Sequence, residues 1–159
     1  IKPYIRLMIA IIKSEFNKEI VDGLLEGCKR ALDTKEVKLK FRKSKVFEVI
    51  TVPGAFELPA AAKSCLSNHN VGGSYFSSKY KAIITLGCVI KGETDHYDYI
   101  CQAVTQGIMD VSIQSQVPIL FGVLTCQNAE LAFERSRDND SNKGYEVGLA
   151  ALELLNLSK

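Results

Sequence analysis

Hydrophobic and polar positions fall in blocks along this chain, and the blocks switch period. Arg6 to Ile12 is a short run of Ile, Leu and Met bounded by Pro3 and Ser14, which reads as a buried strand. From Asn17 to Leu32 the period becomes helical, with Ile20, Val21, Leu24, Leu25, Cys28, Ala31 and Leu32 on one face. Val46 to Val52 is the next strand, ended by Pro53 and Gly54. Glu57 to Leu66 is Ala-rich and helical, with Pro59 tolerated in the first turn. Ser67 to Tyr80 carries Gly72, Gly73 and several serines, which is loop chemistry. Ala82 to Ile90 is the strongest strand. A helix follows from His96 to Gln116, with Ile100, Val104, Ile108 and Val111 on one stripe. Ile119 to Thr125, after Pro118, is the last strand. Asn128 to Arg135 reads as a short helix, Ser136 to Asn142 as a polar connection, and Lys143 to Leu155 as a final helix. The basic stretch from Lys38 to Lys45, interrupted by Leu39 and Phe41, reads as a solvated turn or edge.

The element order is β-α-β-α-β-α-β-α-α, with no repeat and no linker. Near-continuous apolar strands alternating with helices imply a parallel sheet covered on both faces. Right-handed crossovers then give a three-layer αβα sandwich around a central four-stranded parallel sheet, flavodoxin-like, in a single domain over residues 1–159. Ligands of such sheets bind at the carboxyl ends of the strands. That rule points to the loops after Ile12, Val52, Ile90 and Thr125.

Composition narrows the function classes. A net charge of +2 without a Lys/Arg run argues against nucleic acid. No run is long and apolar enough for a membrane helix, and no secretory signal is visible. The five cysteines are odd in number and lack C-x-x-C spacing, which argues against a zinc site or a disulfide framework. Reduced thiols fit the cytoplasm, or an organelle if a leader was removed ahead of Ile1.

The loop after Ile90 reads K-G-E-T-D-H-Y-D-Y, Lys91 to Tyr99. Gly92 permits a tight turn, and Thr94 or Asp95 can cap the helix, with Asp98 completing an imperfect capping box. A helix start is also an anion site, although Glu93 and Asp95 would repel a phosphate unless both point outward. His96, at the junction, either caps or relays protons near neutral pH. His69 reads as solvated. In V-P-G-A-F-E-L-P, Val52 to Pro59, Gly54 and Ala55 leave room for a ligand, Phe56 can pack on a flat ring, and Glu57 can accept from hydroxyls. A capped helix with a core Phe is the alternative there. Phe16 is a stacking platform or a hydrophobic staple, and Asn17 sits beside it. Phe121 reads by default as core. Arg135 and Arg137 complement a helix C-terminus or serve an anion. Lys143 opposes the dipole of the helix it begins.

Three segments, V-P-G-A-F-E-L-P, G-C-V-I-K-G-E-T-D-H-Y-D-Y-I and N-K-G (Asn142 to Gly144), occur in an order and spacing that resemble the 6,7-dimethyl-8-ribityllumazine synthase family. The resemblance runs from about Ile5 to Leu157. It implies condensation of 5-amino-6-ribitylaminouracil with 3,4-dihydroxy-2-butanone 4-phosphate, without metal or organic cofactor, in the penultimate step to riboflavin. It also implies that Phe16 stacks on the pyrimidine, that Ala55, Phe56 and Glu57 line the ribityl site, and that Cys88, Val89 and Ile90 offer strand-end backbone groups. Asn17 joins that substrate-binding set. Glu93 and Thr94 occupy phosphate-loop positions, Arg135 pairs with the phosphate, and His96 matches the proton-transfer histidine. Phe121 and Lys143 match ring-site positions that, with Arg135, come from a neighbouring subunit. The implied assembly is a homo-oligomer, a pentamer or a sixty-subunit shell, with riboflavin synthase as a candidate partner. The connection from Arg135 to Asn142 is not Gly-rich, which leaves pentamer against shell open. A flavin-binding or shell-forming protein without turnover, and a pentameric riboflavin synthase, are the competing readings. Intact His96, Arg135, Lys143 and Glu57 weigh against the first, and the Gly87 to Ile100 block against the second.

Overall fold

A computed structural model of the chain describes residues 8–41, 45–66 and 79–157. Four strands, β1 (Met8–Ser14), β2 (Phe47–Val52), β3 (Tyr80–Ile90) and β4 (Ile119–Cys126), form one all-parallel sheet in the order β2-β1-β3-β4. Among the described residues six helices accompany them: α1 (Lys18–Leu32), α2 (Lys35–Lys40), α3 (Leu58–Leu66), α4 (His96–Gln114), α5 (Ala129–Glu134) and α6 (Lys143–Leu157).

Side chains alternate along each strand, so the sheet feeds two separate cores. Ile9, Ile11, Ala82, Ile84, Leu86, Leu120 and Leu124 pack with α1 and α6. Met8, Ala10, Ile12, Ile83 and Val123 pack with Leu58, Ala62, Val104 and Ile108 of α3 and α4. The three-layer parallel architecture expected from the sequence is therefore the one observed.

Helices α1 and α6 meet with almost no gap. A Cβ on Gly144 would lie 1.8 Å from the Leu24 carbonyl oxygen. Asn142, 1% exposed, donates through Nδ2 to the Gly23 carbonyl (3.1 Å) and the Arg137 carbonyl (2.9 Å), and its Oδ1 accepts from the Tyr145 N–H (3.0 Å). Two of the three residues of N-K-G thus dock α6 onto α1.

Several boundaries differ from the sequence reading. The basic stretch is not a turn throughout: residues 35–40 form α2, because the Thr34 hydroxyl accepts from the Val37 N–H and Val37 buries its side chain. Residues 42–44 lie outside the described residues, as do Arg6, residues 67–78 and His69. Strand β1 runs on to Ser14, carrying Lys13 inside, and Tyr80 opens β3 rather than closing the loop. Helix α3 starts at Leu58, preceded by a 3-10 turn at Ala55–Glu57. Helix α4 stops at Gln114, where Ser115 turns extended and its Oγ accepts from the Val117 N–H.

Candidate active site

The chain passes from β1 to β2 on one side and then crosses to β3 on the other, so the strand order reverses between β1 and β3. In open α/β sheets the ligand crevice lies at that reversal, outside the carboxyl ends. A cleft of about 360 Å³ opens there, lined by Phe16, Gly54, Ala55, Phe56, Cys88, Val89, Ile90, Gly92, Thr94, His96, Tyr97 and Ile100.

Each wall has a local cause. Pairing of β3 with β1 ends at Lys13↔Leu86, whereas β3 continues beside β4 to Ile90↔Cys126. The last residues of β3 therefore turn a free backbone edge toward the cleft. One of its groups is taken: Asn17 Nδ2 donates to the Cys88 carbonyl at 2.9 Å. Asn17 sits in the left-handed region (φ 55°, ψ 47°), where Asn is tolerated, and turns the chain from β1 into α1 without capping the helix through its side chain. Beside it Phe16 is 70% exposed, so it is not a buried staple. Phe56 is 59% exposed on the facing loop, which is not how a core Phe sits.

The loops after β1 and β2 are joined by backbone. The Glu15 N–H donates to the Val52 carbonyl (2.8 Å) and the Phe16 N–H to the Pro53 carbonyl (3.0 Å). The Glu57 Oε2 accepts from the Gly54 N–H (2.9 Å), which fixes the carboxylate at the loop's edge. Gly87 allows a close approach: a Cβ there would meet Leu58 Cδ1 at 3.0 Å and Ser14 Oγ at 3.2 Å, so those side chains would have to give way for the α3 start to keep its place against the sheet.

At the α4 start, His96 is the first helical residue and is exposed to the cleft. Its N–H reaches the Thr94 hydroxyl oxygen at 3.4 Å. Asp95 is the cap residue but makes no side-chain cap, so the capping box with Asp98 does not form. Gly92 does not occupy a left-handed conformation and has open space around it, so its value is access rather than turn geometry. Glu93 is exposed and does not line the cleft. Cys88 contributes backbone only: burial pushes its thiol up to about 12. A thiol so raised stays protonated at neutral pH, which argues against a nucleophilic role.

Three further site candidates lie elsewhere in the chain. Phe121, on edge strand β4, packs against the α3/α4 core. Arg135 donates through Nε to the Ser141 carbonyl (2.9 Å) and through Nη2 to Glu146 Oε2 (3.1 Å). Lys143 Nζ bonds Glu146 Oε1 at 2.8 Å. None of the three lines the cleft. Glu146 thus holds both cations at once, and the Lys143 hydrogen bond, followed by Coulombic attraction to Lys143 and Arg135, keeps its carboxyl below the usual range.

Sequence reasoning placed Ile100 on the helix's apolar stripe and did not single out Tyr97, and the two form the cleft's helical wall. Their signal is helical spacing from Val104. It also passed over Lys13, a charge at the end of an apolar run. Among the described residues no group of three or more His, Cys, Asp or Glu could hold a metal ion. The family model described as 6,7-dimethyl-8-ribityllumazine synthase matches residues 6–159.

Proposed function

The chain belongs to the 6,7-dimethyl-8-ribityllumazine synthase family, and from that premise we propose how its residues carry the family's condensation. The enzyme is a transferase of riboflavin biosynthesis that joins the ribitylaminouracil to the butanone phosphate and releases phosphate and water.

The observation that carries the residue assignment is the meeting of two exposed rings, Phe16 and Phe56, with His96 around one cleft at the β1/β3 reversal. A flat heterocycle stacks on Phe16, with the free edge of β3 at Val89 and Ile90 supplying in-plane hydrogen bonds. The ribityl chain runs toward Ala55, Phe56 and Glu57, where a carboxylate accepts from hydroxyls. The 5-amino group attacks the ketone carbonyl, and water leaves to form an imine. A proton then leaves the carbon beside the imine and the C–O bond to phosphate breaks, its electron pair departing with phosphate; the enol that results tautomerises to a ketone. The ribityl-bearing amine attacks that ketone, and loss of a second water closes the ring. His96 accepts and returns protons in these steps, help worth roughly 10²–10⁴-fold. Holding two substrates side by side supplies much of the rest. Thr94 and the α4 start receive the phosphate, with Glu93 turned outward.

We infer that the working enzyme is a homo-oligomer, a pentamer. Two observations support this. The cations suited to a phosphate and a ring carbonyl, Arg135 and Lys143, do not line their own chain's cleft. Tyr99, Met109 and Ile113 are 71%, 55% and 73% exposed within one stripe of α4, a pattern that marks a protein contact. A neighbouring copy would then supply Arg135, Lys143 and Phe121. Sedimentation separates five copies from a sixty-copy shell, and an active monomer would refute the shared site. Five free cysteines suit a reducing compartment, and the cytoplasm is proposed.

The direct test is the purified protein with both substrates, followed by the lumazine chromophore. A rate no greater than the uncatalysed condensation would sink the assignment.

A further inference from the structure

Lys13 is a charged residue inside an apolar strand, and its side chain is only 8% exposed. Its ammonium lies 2.5 Å from Asp22 Oδ1 and 3.4 Å from Glu15 Oε1. The other carboxylate oxygen of Asp22 accepts from Lys18 Nζ at 2.7 Å. A buried ammonium is costly unless it is paired and hydrogen-bonded, and an apolar residue would fill a strand end at less cost. The four residues bracket one loop. Lys13 is next to last in β1, Glu15 starts the connection, Lys18 opens α1, and Asp22 follows one turn on. Between them stand Phe16, mostly solvent-facing, and Asn17 in its left-handed conformation. On the β2 and β3 side the loop is held by the Glu15, Phe16 and Asn17 hydrogen bonds; on the α1 side the Lys13–Asp22 pair ties it down.

We propose that the Lys13–Asp22 ion pair positions the ring platform of the active site, clamping the end of β1 to the first turns of α1 so that Phe16 and Asn17 are held at the cleft mouth. This rests on the reading of Phe16 as the pyrimidine platform. Neither Lys13 nor Asp22 lines the cleft, so both act through the loop and neither touches substrate. Hydrogen bonds from Lys13 first, then Lys18, hold the Asp22 carboxyl below its ordinary range, in keeping with a pair that stays closed at working pH.

The test compares Lys13→Met, Lys13→Arg and Phe16→Ala. Methionine nearly conserves volume, and Asp22 keeps Lys18 and solvent, so the variant folds. The readouts are KM for each substrate, kcat, and the thermal midpoint. Lys13→Met is expected to raise the pyrimidine KM about 3- to 10-fold and leave the butanone phosphate KM within about twofold, the range of coupled neighbours against distant sites. Lys13→Arg should recover most of the loss. A lowered midpoint with both KM values unchanged, or an equal rise in both, would overturn the proposal. If Phe16→Ala raises the pyrimidine KM and Lys13→Met does not, the clamp alone fails. If Phe16→Ala leaves that KM unchanged, the platform reading fails and takes the clamp with it.

Discussion

Replacing Gly144 by Ala adds one methyl group where α6 crosses α1. The new Cβ would stand 1.8 Å from the Leu24 carbonyl oxygen, 2.6 Å from its carbon and 2.9 Å from its Cα. A carbon normally stays about 3.3 Å from a carbonyl oxygen, so the helices must part by roughly 1.5 Å. The obstacle is backbone, which no rotamer relieves. Overpacking of this kind costs about 1–3 kcal/mol. Parting the helices also stretches the 3.1 Å bond from the buried Asn142 amide to the Gly23 carbonyl, and a stranded buried amide costs about 1–3 kcal/mol more. Alanine returns at most about 1 kcal/mol through helix propensity. The net loss is about 1–5 kcal/mol, which for a chain of this size lowers Tm by roughly 2–20 °C. Thermal unfolding followed by circular dichroism measures it, at equal protein concentration because assembly shifts the midpoint. A midpoint equal to or above that of the parent would refute the close helix contact.

Four other outcomes follow from the geometry. Gly92→Ala should fold as well as the parent, since nothing lies within 4 Å of its Cβ site; a drop in turnover at unchanged midpoint would mark this loop as ligand-facing. His96→Ala should cut kcat by about 10²-fold or more with pyrimidine binding largely intact, and loss of binding alone would contradict proton transfer. Arg135→Ala should weaken the butanone phosphate far more than the pyrimidine, as a lost guanidinium–phosphate pair requires; equal losses in a two-substrate titration would deny it the phosphate role. The Asp22, Glu48 and Glu146 carboxyls are all held below their ordinary values, chiefly by hydrogen bonds from Lys13, Lys79 and Lys143 respectively. Their folded pKa is depressed, so the unfolded chain takes up protons first. The stabilisation is complete above about pH 5 and drains away as pH falls through the acid range. Glu146→Gln should flatten that slope in urea titrations from about pH 5 to about pH 3, and an unchanged slope would count against it.

Much of the fold was legible because burial on both faces makes parallel strands read as unbroken apolar runs, as in β1 and β3. Helix α2 was not legible: its Lys-rich sequence has the alternation of an exposed edge, and a single inward Val37 under a Thr34 cap decides the matter. Strand order is carried only by the flavodoxin-like expectation, whose order β2-β1-β3-β4 is the one observed, since the run of residues does not itself show which side each crossover takes. Motif residues were easier to find than to interpret. Asn142 and Gly144 look like site residues beside Lys143, yet they serve the α1–α6 contact. Lys13 was passed over because a charge closing an apolar run looks like the strand's end, when it is an interior residue with partners supplied by α1.

The bonds from Glu15 to Val52 and from Phe16 to Pro53 carry the β1–β2 ladder past both strands and into the loops. The loop bearing Phe16 and the loop bearing Phe56 are therefore one mechanical piece, although some forty residues of sequence separate them. Anyone redesigning this enzyme for another heterocycle would have to transplant both loops together. A graft of either alone would inherit a seam whose donors and acceptors no longer match, and the failure would show as a misplaced ring rather than an unfolded chain.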